Sequence, residues 1–263
     1  MNWIADPAHL RLAIFLGLLL ALIVLERAFP RRRSPMQRSL RWPSNLGLVV
    51  VDSALLSLLP LAAIGTALIA QTRGWGLFNL LHLPLLLAGA LAWLVLDCAI
   101  YWQHRALHEV RGLWPLHRVH HSDIEFDTTT ALRFHPLEIL LSMLWKMLVV
   151  LLLGAPPTVV LAFEIALNGF ALWSHANLSY PPWLDRALRP LILTPDMHRI
   201  HHSVHRAETD SNYASVLTLW DRLFRSYRPQ PLDGHGRMRI GIGEFRSEPE
   251  QGLGALLLQP LKK

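Results

Sequence analysis

The stretch Tyr101–His135, YWQHRALHEVRGLWPLHRVHHSDIEFDTTTALRFH, places six of the chain's fourteen histidines directly behind a long apolar run. His104 and His108 stand at i, i+4, and His117 is followed by His120 and His121 at i+3 and i+4; the same triplet returns as His198, His201 and His202. On helices each group lines its imidazoles along one face. A cation that takes several neutral nitrogens at about 2.0–2.2 Å draws them from more than one helix, so the clusters have to converge. A single HRxHH reads equally well as a helix with solvated or core histidines. Two copies plus an HxxxH read as a metal site, because neither packing nor helix propensity asks for histidine at those offsets three times. Any fold must therefore bring three separated segments to one place, on one side of any membrane the chain crosses.

A membrane is expected. Hydrophobic residues make up 52% of the 263, with a mean hydropathy of +0.30, which favours a membrane protein over one or two soluble domains. The net charge of +6 does not point to nucleic acid, since the arginines flank apolar runs and form no basic stripe interleaved with aromatics. It reads as topology and attraction to anionic lipid. Cys98 stands alone, which excludes a disulfide framework, a zinc CxxC pair and a thiol redox pair. At the amino terminus the basic residues follow the apolar run, the reverse of a signal peptide, so an uncleaved anchor helix is expected.

The first apolar run, Leu12–Leu25 extended by Trp3 and Ile4, suffices for one crossing. Arg27, Arg31, Arg32, Arg33, Arg38 and Arg41 follow it, which makes that loop cytoplasmic by the positive-inside rule. A second run, Leu46 to Ala70, is expected as one span kinked at Pro60, and a third, Leu83–Trp102, leads straight into His104. Leu137–Leu153 and Val159–Trp173 flank GAPPT as a helical hairpin that is short for two full crossings. An even number of passages then separates His135 from His175, and all clusters share the cytoplasmic side. The expected fold is an all-α integral membrane protein, with about three full spans plus a helical hairpin and a cytoplasmic helical cap that carries a histidine-rich dinuclear site. Residues 1–80 read as anchor helices, 81–228 as the histidine-bearing catalytic domain and 229–263 as a tail without a signal of its own.

Other polar residues fall into register with the clusters. Asp97, Tyr101, His104 and His108 share a helical face, and Asp97 reads either as a partner for a ligand histidine or as an interface acid pairing with Arg105. Asp123, Glu125 and Asp127 either orient histidines or are solvated loop acids. Glu164, Asn168 and His175 make a polar face pointing at the site, with Lys146 as a candidate partner for Glu164. Pro115 and Thr194-Pro195-Asp196 are helix starts. Val216, Leu219, Trp220, Leu223 and Phe224 lie on one side of a segment expected to pack under the metal helices.

These residues resemble the fatty acid hydroxylase and sterol desaturase superfamily of membrane non-haem di-iron enzymes. The HxxxH is His104–His108, the two HxxHH boxes are His117–His121 and His198–His202, and SDIEFDTTTALRFHPLE (122–138), SHANL (174–178) and NYASVLTLWDRLF (212–224) are similar to bacterial members. The similarity covers about residues 90–228; Ala214 departs from it, where a glycine is expected after Asn-Tyr. More imidazoles than one ion can use call for two cations. The candidate ligands, and with them the catalytic residues, are His104, His108, His117, His120, His121, His198, His201 and His202, with His175 as a ninth; His135 is either a ligand or a neighbour of one. His9, His82, His205 and His235 are left out. The resemblance implies two irons, although the same donors suit zinc in a purified sample, and it implies O2 as co-substrate. It also implies hydroxylation or desaturation of a lipid, be it sterol, fatty acyl or related. Without a flavin or nicotinamide fingerprint in the chain, electrons come from a separate ferredoxin, cytochrome or reductase. The rival class is a histidine-rich membrane metal-transport or metal-storage protein, which needs ligands along a path near mid-bilayer. A zinc hydrolase lacks its HExxH here.

Overall fold

The structure is a computed structural model that describes residues 7–33 and 38–262, so the expected contribution of Trp3 and Ile4 lies outside the described residues. Helix α1 (Pro7–Ala28) leads into α2 (Arg38–Ser57), α3 (Ala63–Arg73) and the single turn α4 (Leu77–Leu80). The long α5 (Leu85–Glu109) and the short α6 (Trp114–His121) follow, then a 3-10 turn over Thr128–Leu132 and the hairpin of α7 (Pro136–Leu153) and α8 (Pro157–Ser174). Short helices complete the chain: α9 (Pro182–Leu188), α10 (Pro195–His201), α11 (Arg206–Thr209), α12 (Leu219–Leu223), α13 (Gly234–Arg237) and α14 (Leu253–Leu258). Among the described residues there is no strand, only three isolated bridges.

Among the described residues four helices are long and apolar enough to cross a membrane: His9–Ala28, Leu85–Glu109, Pro136–Leu153 and Pro157–Ser174. They make this an integral membrane protein. The run from Leu46 to Ala70 is not the single kinked span the sequence predicts. Pro60 lies in a break between α2, which ends at Ser57, and α3, which starts at Ala63; with no N–H and a ring that blocks the preceding turn, it separates two helices instead of bending one. The arms of the hairpin are 18 residues each, about 27 Å at 1.5 Å per residue. Gly154, in the left-handed conformation at φ 65°, ends α7, and a Cβ on neighbouring Gly76 would fall 2.1 Å from its nitrogen. The backbones of both turns therefore touch where only glycine fits.

The apolar core joins α3, α5, α7 and α8 through buried Ala67, Ala92, Leu96, Val150, Val160 and Phe163. Helix α5 continues beyond this core, and its last turns carry His104 and His108 out of it. At that end α2 is tied to the loop after α6 by charge. Arg41, 1% exposed, gives Nε to Asp123 Oδ1 at 2.5 Å, Nη2 to Asp123 Oδ2 at 2.7 Å and Nη1 to Asp127 Oδ2 at 3.0 Å. Burial alone would raise Asp123, but Arg41 and Arg133 outweigh it and hold the carboxyl down at about 2. Asp123 and Asp127 thus hold α2 rather than a histidine. The carboxy-terminal segment is also built in: Leu256 packs between Leu48 of α2 and Val119 of α6, and Arg118 donates to the carbonyls of Gln259 and Lys262.

Arg41→Met would leave two buried carboxylates without their cation. The expected loss is about 3–5 kcal/mol, read as a fall in the thermal unfolding midpoint of the detergent-solubilised protein; a shift of under a degree would show that the clamp is not structural.

Candidate metal centre

All nine candidate histidines come together, in two groups. His104 and His108 of α5, His117 and His121 of α6 and His201 of α10 form one; His120 of α6, His175 at the end of α8, and His198 and His202 at α10 form the other. Within each group the nearest ring nitrogens all lie within 4.8 Å of one another. The two HRxHH boxes are used in exchanged fashion. The first gives its i, i+4 pair, His117 and His121, to the five-membered group and His120 to the other, whereas the second gives His198 and His202 to the four-membered group and His201 to the five. A helical turn separates i+3 from i+4 by about 100°, enough to aim adjacent histidines at neighbouring centres.

The rings are held from behind. His104 Nδ1 lies 2.8 Å from the Tyr213 carbonyl, His201 Nδ1 2.7 Å from that of Ser211, His175 Nδ1 2.7 Å from that of Ala171 and His120 Nδ1 3.3 Å from that of Arg133. His117 Nδ1 faces Glu138 Oε1 at 2.7 Å. Each of these acceptors fixes the proton on Nδ1 and leaves a lone pair on Nε2. In the five-membered group every Nε2 is buried and has no hydrogen-bond partner. In the other, His175 Nε2 faces the Nε2 atoms of His120, His198 and His202 at 3.1, 3.0 and 3.1 Å.

His120 and His175, whose Nδ1 protons are fixed by carbonyls, face each other with lone pairs that repel, and an unpaired buried acceptor costs about 1–3 kcal/mol. A cation about 2.1 Å from each nitrogen removes both penalties, because ligands at right angles are then about 3.0 Å apart. The donor set fits two metal ions. Burial, reinforced by neighbouring imidazoles, pushes His120, His121, His198, His201 and His202 well below the ordinary value, and His175 to about 4. The rings are therefore neutral donors at physiological pH.

Aromatic rings wall the centre. Phe134 stacks on His120 at 4.4 Å, Phe126 on His175 at 5.5 Å, and Trp114 covers His108 and His121. On the side facing the apolar core, a cavity of about 320 Å³ reaches His104, His117, His120, His175 and His198 between α5, α7 and α8.

Several sequence expectations change. His135 belongs to neither group; its Nδ1 caps α7 by accepting from Leu137 N–H, and Nε2 faces the Leu257 carbonyl. Asp97 neither supports a histidine nor meets Arg105: it accepts from Trp220 Nε1 at 2.8 Å and Leu217 N–H at 3.1 Å, and Arg105 pairs with Glu109. Asp210 Oδ1 lies 3.4 Å from His108 Nδ1, and a second carboxylate, Glu138, holds His117 and is not among the acids that spacing singles out. Its signal is an acid in the first turn of an otherwise apolar helix, three residues after His135. Glu164 does meet Lys146, at 2.6 Å. Val216 is buried, but Leu219 and Leu223 are exposed, so that segment only partly enters the core. At Ala214 no glycine is needed, because the left-handed backbone falls on Asn212, φ 52°.

The description of the fatty acid hydroxylase family matches residues 89–226, just over half of the chain. The chain belongs to that family. It is 36% identical over 165 residues to alkylglycerol monooxygenase of Danio rerio, a match covering 59% of this chain and 34% of that protein. It is 30% identical over 187 residues to the ornithine lipid hydroxylase OlsE of Rhizobium tropici, covering 68% and 52%, and 30% identical over 143 residues to human lathosterol oxidase, covering 53% and 45%. The chain thus matches about a third to a half of the length of these relatives. No solved structure matches.

Without metal, His120, His121, His175, His198, His201 and His202 stay neutral in the folded chain, whereas in the unfolded chain they take up protons near their ordinary value of about 6.5. The unfolded state then binds more protons, so stability falls as pH drops below about 6.5 and levels only when the folded rings protonate, near 4 for His175. Thermal unfolding of chelator-treated protein should show a falling midpoint between about pH 7 and 5; a level midpoint contradicts neutral buried rings.

Proposed function

We propose that the chain is a membrane-bound non-haem di-iron oxidoreductase that oxidises a lipid with O2 and electrons from a separate donor protein. The observation that carries this reading is the pair of inward-turned imidazole groups opening on an apolar cavity, in a chain of the fatty acid hydroxylase family. The nine histidines are the proposed ligands, five to one iron and four to the other. Bound iron would supply activation of dioxygen and removal of hydrogen from an unactivated C–H bond.

The protein's own residues do the rest. The Nδ1 acceptors fix the rings of His104, His117, His120, His175 and His201 so that their lone pairs point inward, and Glu138 makes His117 a stronger donor. Phe126, Phe134 and Trp114 keep water from the centre, and the cavity holds one part of a lipid chain beside it. Residues 81–228 carry the chemistry in this reading, 1–80 supply membrane helices, and 229–263 close over the histidine end. The arginine-rich loop after α1, whose Arg31 pairs with Asp196 of α10, supports a cytoplasmic histidine end by the positive-inside rule, where a soluble electron donor would reach it; in a bacterium the membrane would be the inner one. Two of the relatives, a monooxygenase and a hydroxylase, favour oxygen insertion over desaturation. Metal transport is disfavoured by family membership and by the grouping of the histidines at one end of the spans rather than along a path through them.

Lipid mass spectrometry of cells with and without the gene should reveal a species heavier by one oxygen; one lighter by two hydrogens would assign desaturation. His120→Ala and His201→Ala should abolish the product with membrane insertion intact, and Glu138→Gln should lower it about 10–100-fold. An unchanged lipid profile, with iron and a working donor shown to be present, contradicts the proposal.

A further inference from the structure

The cavity that ends on the histidines has a charged opposite end. Lys146 Nζ lies 2.6 Å from Glu164 Oε1, and Arg11 Nη1 lies 2.9 Å from Glu164 Oε2. Both cations line the cavity, whereas the Glu164 side chain is 1% exposed and lies behind them. Two cations share one carboxylate there, which leaves a surplus positive charge facing the cavity. Ionisable groups inside an apolar helix bundle are costly and mark a site of function. The other charged residue lining the cavity, Glu138, is engaged by His117 at the metal end. Glu138 and Lys146 are eight residues apart on α7, about 12 Å along the helix, and Ile100, Ile139, Met143 and Leu167 line the space between.

Resting on the reading that a lipid is oxidised at the histidines, we infer that the substrate is a single-chain lipid with one anionic oxygen group, a carboxylate or a phosphate. That group docks on Arg11 and Lys146 and sets a carbon about 12 Å away against the histidine centre. The charge complement is a monoanion, and a cavity of about 320 Å³ is at the small end for ligand pockets, suited to one chain. A neutral sterol leaves the surplus charge unanswered.

The test is binding, without turnover. Full-length metal-loaded protein in nanodiscs of zwitterionic lipid, with no reductant, is titrated with palmitate, hexadecyl phosphate or hexadecanol at equal bilayer mole fraction, each displacing a fluorescent fatty acid. At least one anion should bind about tenfold more tightly than the alcohol, the gain of a charge-assisted hydrogen bond, and whichever anion does so identifies the group. Lys146→Met, which leaves Arg11 and Glu164 as a closed pair, should bring that preference to about one with alcohol binding unchanged, while Lys146→Arg keeps it. Equal binding of all three by the wild-type protein overturns the inference, as does an anion preference that survives in Lys146→Met. Because no oxidation is read, loss of the preference leaves the proposed oxidation standing, and failure of oxidation leaves the docking site standing.

Discussion

His175 Nε2 meets the Nε2 atoms of His120, His198 and His202 at 3.0–3.1 Å, and five more buried Nε2 atoms have no partner, an arrangement of neutral donors that a cation in each group would satisfy. The rest of the molecule can be understood as the means of holding them there. The rings of His104, His117, His120, His175 and His201 each have an acceptor behind them, and these acceptors are backbone carbonyls from three separate segments plus the Glu138 carboxylate. The position of the centre therefore depends on tertiary structure as a whole. The terminal segments take part: α2 reaches the loop after α6 through Arg41, and the carboxy-terminal helix reaches α6 through Leu256 and Arg118.

The apolar helices divide the remaining work. A span that must satisfy all its backbone hydrogen bonds within itself is rigid along its length, so α5 can carry His104 and His108 beyond the core without losing their register. The α7–α8 hairpin supplies Glu138 near one end and His175 at the other, both on the histidine side, and encloses the cavity between its arms and α5. The cavity and the histidine groups are thus formed by the same helices.

Much of the centre was legible because histidine spacing encodes helical faces. The i, i+4 pairs and the doubled HRxHH foretold convergence, and even His175, a lone histidine after an apolar run, was picked up from the polar face it shares with Glu164 and Asn168. Spacing carries neither the identity of the metal nor the substrate; iron and a lipid are what the resemblance implies. What stayed hidden was partner choice among acids. Asp97, Asp123 and Asp127 have the right distance in sequence to hold histidines, yet they hold Trp220 and Arg41, because which acceptor reaches which ring depends on packing between distant segments. The break at Pro60 was hidden for a similar reason: a proline in an apolar run is compatible with a kink or with two helices, and the neighbours decide.

The central claim, that nine imidazoles hold two ions in a five and four division, is tested most directly by metal analysis joined to X-ray absorption on protein purified without chelators. The account predicts two ions per chain with nitrogen neighbours at about 2.0–2.2 Å, and loss of one ion, not both, in His108→Ala and likewise in His202→Ala. A single ion per chain in the wild-type protein, or a first coordination shell dominated by carboxylate or sulfur, would contradict it.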